Sequence, residues 1–297
     1  MGLELMNNKK LLTACASIVQ VVSEYYDRAQ KGEVAGYCRT IPRELGKLSE
    51  KDKSVVDNDV PRTHLYLSQD HDINSSEAEY KKMEVTTRLT KLGAILESNG
   101  FYRQGMLDAC LPIVYAFWQQ KKSEEETIDK CLAVIEGFIW PLAKNELALY
   151  VKYESIMKQL PGYRPVSPDI PKADWMEYPI EAWAILPWFT TIFDLCSLAQ
   201  VYGFLLKSPL RMSFLLFLAL QPLARERKSN YKGAPLAESQ MEGYLDSASK
   251  LDQKFGHEFT AKSLFKEPMV MIGMGVAVVA LGVAGAFAMY DYKNRKP

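Results

Sequence analysis

The segment Met269–Met289, MVMIGMGVAVVALGVAGAFAM, holds no charged, amide or hydroxyl side chain. As a helix rising about 1.5 Å per residue it reaches about 30 Å, the thickness of a bilayer's hydrocarbon core. Tyr290 and Tyr292 follow at what would be interface depth, Lys293, Arg295 and Lys296 come after them, and Lys262 and Lys266 flank the other end. Aromatic and basic residues in such positions anchor a membrane span. The expectation is one C-terminal transmembrane helix over 268–290, followed by a basic tail at 291–297. Within it Gly273 and Ala277, then Ala280, Ala284 and Ala288, are spaced by four residues. Small residues at that spacing let a second membrane helix approach closely, so these five are the candidate helix-packing positions in the bilayer.

The rest of the chain is long enough to bury a large core. Lys plus Arg number 36 and Asp plus Glu number 36, so the net charge is zero. A nucleic-acid binder normally carries a basic excess, and no nucleic-acid partner is expected. Cys15, Cys38, Cys110, Cys131 and Cys196 are odd in number and far apart, with no CxxC pair. Such cysteines fit reduced packing residues in the cytosol or a mitochondrial interior. Lys9 and Lys10 ahead of Leu11–Val19 give the N-terminus a faint signal-peptide look, but Gln20, Ser23 and Glu24 interrupt the apolar stretch. Leu11, Cys15, Ile18, Val22 and Tyr25 instead share one helical face, and residues 1–30 read as an amphipathic helix closed by Gly32.

Residues 31–77 are polar and poor in periodicity, a linker or loop that separates the first helix from the main body. A helical domain follows over 78–160, with helices at 78–98, 103–121, 124–143 and 145–159. Ser123 with Glu126 three residues on has the form of a capping box. Five prolines make 161–179 a rigid extended connection. Apolar helices at 180–206 and 209–226 form a hairpin within 180–228, and a polar helix at 235–267 leads to the anchor. No period-2 stretch bounded by turn residues occurs, so the fold class is all-α: antiparallel helical hairpins plus the transmembrane helix.

Leu92-Gly-Ala-Ile-Leu-Glu-Ser-Asn-Gly-Phe-Tyr-Arg-Gln-Gly105 resembles a tetratricopeptide hairpin. The resemblance puts Gly93 where the first helix meets its partner, Gly100 in the turn, Tyr102 beside it, and Gly105 at the small-residue position of the second helix. No second copy lies thirty-four residues on, and stacked repeats need about three units. An organelle adaptor with a tetratricopeptide-like core and a tail anchor would share this architecture.

The apolar stretch Ala182–Leu206 is long enough to span a bilayer, yet Asp194 sits near its middle, costing about 2.5–3.5 kcal/mol on insertion. Pro187 would kink it, and Met212–Ala224 is too short to return. Three readings stand: buried core helices with Asp194 hydrogen-bonded to Thr190, Thr191 or a neighbour; a membrane-surface hairpin trailed by Arg225, Arg227, Lys228 and Lys232; or a second span. Residues 210–220 are apolar nearly all round and need cover from somewhere. Trp183, Trp188, Phe214 and Phe217 are the candidates to face lipid or a partner.

Chemical motifs are absent. His64 and His71 lie in the polar linker and His257 on the polar helix, with no HExxH, no GxSxG and no phosphate-cradling glycine loop. Asp194 alone is an acid in an apolar setting, a possible functional carboxyl. No catalytic residue, metal or cofactor is expected. The leading expectation is a non-catalytic, membrane-anchored accessory subunit of a larger membrane complex, mitochondrial by preference, whose partners are other membrane subunits and lipid. The alternative is a tail-anchored adaptor or receptor with a cytosolic helical domain, at mitochondria rather than the endoplasmic reticulum or peroxisomes. The third is a membrane-bound enzyme acting on lipid.

Overall fold

The computed structural model describes residues 2–35, 37–63, 76–103, 105–165, 180–230 and 236–260. The expected membrane span with Gly273, Ala277, Ala280, Ala284 and Ala288, the basic tail, His64 and His71 lie outside the described residues, as do most of the Pro-rich connection and the side chain of Trp183. Every regular element among the described residues is helical, and none is a strand. None of these helices is long and apolar enough to cross a membrane.

Helix α1 (Gly2–Gln30) presents Cys15, Ile18, Val22, Tyr25 and Ala29 to the core, every one of them buried. The spacing is one face of an amphipathic helix, and that face is wedged between α8 (Leu195–Leu205) on one side and α4 (Met106–Gln119) and α5 (Glu124–Val134) on the other. Helix α1 is therefore the centre of the body and not an outlying N-terminal piece. Gly32, at φ 74°, lets the chain turn away from it, a backbone angle that glycine adopts freely.

The expected linker at 31–77 contains a helix, α2 (Glu50–Thr63). Among its described side chains only Val56 and Val60 are buried, and the helix packs on α3 (Ser76–Ser98) and α4. Helix α5 starts as its sequence implies: Ser123 Oγ accepts the Glu126 N–H at 3.1 Å, and three glutamates occupy the positive end of the helix. It continues into a π-turn (Ile135–Ile139) and then α6 (Trp140–Gln159), in which Asn145, Glu146 and Leu147 take positive φ and break the helix path.

The apolar region folds differently from two long helices. A short α7 (Ile180–Ile185) ends in a turn where Trp188 and Phe189 have φ of 54° and 64°, and α8 begins only after Asp194. Helix α9 (Met212–Asn230) follows, with Phe214, Leu215, Leu216, Phe217 and Leu220 all at 0% exposure. Its cover is the chain itself. Helices α6 and α7 lie on it, and so does α10 (Glu238–Phe255), the helix expected only to lead to the anchor. Met241, Tyr244, Leu245, Ala248, Leu251 and Phe255 of α10 fall at helical spacing against the core, and Arg211 grips Asp252 through 2.6 and 3.1 Å hydrogen bonds.

Gly137 in the π-turn is needed for space: a Cβ there would overlap the Tyr25 hydroxyl. That hydroxyl is buried without a hydrogen-bond partner. Gly137→Ala should cost about 1–3 kcal/mol through overpacking. Tyr25→Phe, which leaves no buried polar atom behind, should be neutral or stabilising and should recover most of the Gly137→Ala loss in the double variant. Urea unfolding of the four proteins checks this; additive losses would show that the two residues do not compete for one space.

Candidate functional site

The most elaborate polar constellation lies where the segment after α1 crosses α5 and the π-turn. The wider π-turn aims Glu136 inward, and its side chain has no solvent exposure. Glu136 Oε1 accepts the Thr40 and Ile41 backbone N–H groups at 2.7 Å each and Arg43 Nη1 at 2.9 Å. Its Oε2 accepts Arg43 Nη2 at 2.8 Å and the Tyr37 hydroxyl at 3.1 Å. Arg43 also donates through Nε to Asp129 at 2.7 Å and through Nη1 to the Ile41 carbonyl at 2.6 Å, and the Tyr26 hydroxyl donates to Asp129. Two carboxylates and one guanidinium thus tie residues 37–43 to α5, the bidentate geometry being one that arginine alone among the cations supplies.

The electrostatics follow from burial and pairing. Burial opposes the Arg43 charge, but the hydrogen bonds to Glu136 and Asp129 outweigh it and hold the guanidinium above its ordinary pKa. Burial likewise opposes the Asp129 charge, yet the Tyr26 and Arg43 hydrogen bonds hold its carboxyl below the usual value. Burial and the neighbouring Glu136 push the Tyr37 hydroxyl up to about 12.

Arg43 and Asp129 also line a cleft of about 480 Å³, together with Arg39, Lys91, Glu125, Glu126, Ile95 and Ile128. Its charges largely answer each other: Lys91 reaches Glu124 at 2.5 Å, and Lys130 reaches Glu126 at 3.4 Å. Within the constellation Arg43 is ion-paired with both Glu136 and Asp129. The constellation works as a latch. No group of three or more potential metal-ligating side chains occurs among the described residues.

A second buried polar cluster joins α6 to α7. Tyr150 donates to Glu154 at 3.2 Å, Lys158 reaches Glu154 at 3.3 Å, and Tyr163 donates to Glu181 at 2.6 Å. Burial raises the Glu154 carboxyl; Lys158 opposes the rise and the nearby Glu181 adds to it.

The sequence-derived residues fall elsewhere. Asp194 is not mid-helix in an apolar span. It caps α8, accepting the Ser197 N–H at 2.9 Å and the Ser197 hydroxyl at 3.1 Å, so it is half-exposed and structural. Trp188, Phe214 and Phe217, read as facing lipid or a partner, lie within the chain's own core, at 1%, 0% and 0% exposure: Trp188 stands against Phe138 and Tyr202, Phe214 against Tyr150 and Tyr153, and α9 as a whole is covered by α6, α7 and α10. In the tetratricopeptide-like hairpin Gly93 does lie at a close approach, but the nearest side chain is Val56 of α2, with Leu107 of α4 next. Gly100 turns the chain at φ 75°, Tyr102 donates to Asp59 of α2 at 2.7 Å, and Gly105 caps α4 at φ 90° instead of sitting inside it. His257 is exposed, 3.0 Å from Glu258. The latch is not visible in sequence, because ninety-three residues separate Arg43 from Glu136 and only the fold joins them; the Glu154 cluster pairs residues four apart, but its burial and its nearness to Glu181 come from the fold. No family model, no curated protein and no solved structure matches the chain.

Arg43→Met should destabilise the protein by about 3–5 kcal/mol, because it strands a buried carboxylate, and Glu136→Gln should recover part of the loss in the double variant. Guanidinium titrations measure both. The Glu154 carboxyl titrates above its unfolded value, so its stabilising contribution is present below about pH 4.5 and is lost as pH rises through the folded value. Glu154→Gln should therefore gain stability relative to the unsubstituted protein as pH rises above about 4.5. A difference that stays flat with pH would contradict this.

Proposed function

We propose that the chain is a non-catalytic adaptor or receptor, held at an organelle membrane by Met269–Met289 with its helical body on the cytosolic face. One observation carries the choice. The apolar helices α8 and α9, which in sequence call for lipid or a partner subunit, are enclosed by α1, α6, α7 and α10 of the same chain. A body that satisfies its own apolar surface does not depend on a complex to fold. The apolar segment at 269–289, with its aromatic and basic flanks, is then the piece suited to the bilayer. A short basic flank and a Gly/Ala-rich span favour a mitochondrial membrane. With Asp194 used as a helix cap, a lipid-acting enzyme loses the one acid assigned to it.

A second reading, an accessory subunit of a larger membrane complex, draws on the ladder Gly273, Ala277, Ala280, Ala284 and Ala288, which suits close helix packing within the bilayer.

The two readings separate in one comparison of the full chain with residues 1–267. As an adaptor, the full chain should pellet with membranes and resist carbonate extraction, while 1–267 should be soluble, helical by circular dichroism and monomeric on gel filtration. Insoluble or unfolded 1–267, with the full chain migrating in one large discrete complex on a native gel, would decide for the subunit. A full chain released by carbonate would remove the membrane reading altogether.

A further inference from the structure

Arg88 of α3 carries a charge that the body does not answer. The residue is 9% exposed, and its one hydrogen bond runs from Nη1 to the Thr127 hydroxyl of α5 at 2.9 Å. Thr127 is itself fully buried and neutral. The Arg88 Nε is sealed from solvent without a partner, and among the described residues no carboxylate pairs with the guanidinium. By contrast Arg43 is paired with Glu136 and Asp129, and Arg211 with Asp252. Arginine is seldom buried unless paired, because a cation taken out of water without a counter-ion loses much of its solvation free energy.

The guanidinium is still reachable from outside. Nη2 holds no bond and is not sealed, so it is the corner left open to an incoming acceptor. At 3.6 residues per turn, Lys91 stands between Met83 and Arg88 around α3. Met83 is 59% exposed, the Lys91 side chain is 48% exposed, and Lys91 meets Glu124 of α5. The open corner therefore lies at the seam of α3 and α5. Beside it are a second cation, whose surface pairing is weak and easily exchanged, and an exposed methionine, a side chain that adapts to many apolar partners.

We infer that Arg88 is the seat for a carboxylate of an acidic peptide segment on a protein partner, with an apolar neighbour of that carboxylate resting on Met83. The carboxylate supplies the missing counter-ion and accepts a charge-assisted hydrogen bond where water competes little. A doubly charged phosphate suits the place less well. The seat offers one open corner, and Glu124, Glu125 and Glu126 form the helical turn just before Thr127. Lys91 is free to turn from Glu124 to a second acid of the same segment. This names a partner chemistry for the adaptor proposed above; it rests on that reading for the need of a partner, but not on the membrane.

The experiment uses the full chain in mild detergent. Its probe is a fluorescein-labelled peptide of three Glu-Ala-Ala-Leu-Ala repeats, compared with the same peptide carrying Gln for Glu. Fluorescence anisotropy should show the Glu peptide bound about ten-fold more tightly, and Arg88→Met should remove that preference. Met83→Ser should weaken both peptides alike. In the protein without peptide, Arg88→Met should raise the Tm, because it removes a buried charge without stranding another, the reverse of Arg43→Met. Equal binding of the two peptides, or a preference that survives Arg88→Met, would overturn the inference. So would a lowered Tm for Arg88→Met, which would make Arg88 an ordinary structural residue. Displacement of the peptide by inorganic phosphate, at an ionic strength where chloride leaves it bound, would overturn it too, since the seat would then be one for a free ion. None of these readouts involves a bilayer, so release of the full chain by carbonate would count against the anchoring alone.

Discussion

The structure depends on the apolar face of α1. Cys15, Ile18, Val22, Tyr25 and Ala29 are the surface on which the N-terminal helices α4 and α5 and the C-terminal helix α8 both close. Each large apolar side chain buried there contributes about 1.5–3 kcal/mol, and the two halves of the body share that gain. An aromatic chain crosses the same junction. Tyr37, Tyr25, Phe138, Trp188 and Tyr202 follow one another at ring separations of 6.4, 5.3, 5.1 and 5.0 Å. Its last member donates from its hydroxyl to the Ala109 carbonyl at 2.5 Å, returning the chain to α4. Loss of α1 would leave both halves with an open apolar face.

The π-turn adapts α5 to this arrangement. An α-helix through 135–139 would carry its side chains at other angles, whereas the wider turn brings Gly137 against Tyr25 and Glu136 against residues 37–43. A buried ion pair is a weak source of net stability, since desolvation cancels much of the attraction. What Glu136 supplies is direction. Five donors converge on one carboxylate, and only one path of the chain after α1 brings them there. The latch therefore fixes where the polar segment lies, alongside the burial of Ile41 in the core.

Local chemistry was legible in the sequence and distant chemistry was not. The face of α1, the Ser123 cap and the turn at Gly100 each depend on residues within a few positions of one another, and a period or a cap residue reports them. Helix α2 escaped notice because two valines bury it and the remainder is polar. The turn at 186–193 escaped because its residues are as apolar as the helices around it, and its signature is backbone, the positive φ of Trp188 and Phe189. The cover over α9 escaped for a related reason: α10 has a polar average but a clean apolar stripe, and the average hid the stripe. Asp194 is hydrogen-bonded to a neighbour, as the core-helix reading had it, but that the neighbour is Ser197 and that a helix begins there show only in the fold.

The end of the described body bears on how a membrane segment would position it. Phe259 is buried and stands edge-on to Tyr153 of α6 at 5.2 Å, so the chain is fastened to the body up to that point. Residues 261–268 then separate the body from Met269. Eight residues reach at most about 3.3–3.6 Å each, under about 30 Å in all. On the proposed anchoring the helical body cannot roam far from the bilayer. The end of α10 and the 256–259 turn would be its nearest parts. Enclosure of α9 is what makes this geometry workable, because an apolar helix left open so close to lipid would be drawn into the bilayer instead of holding the core together.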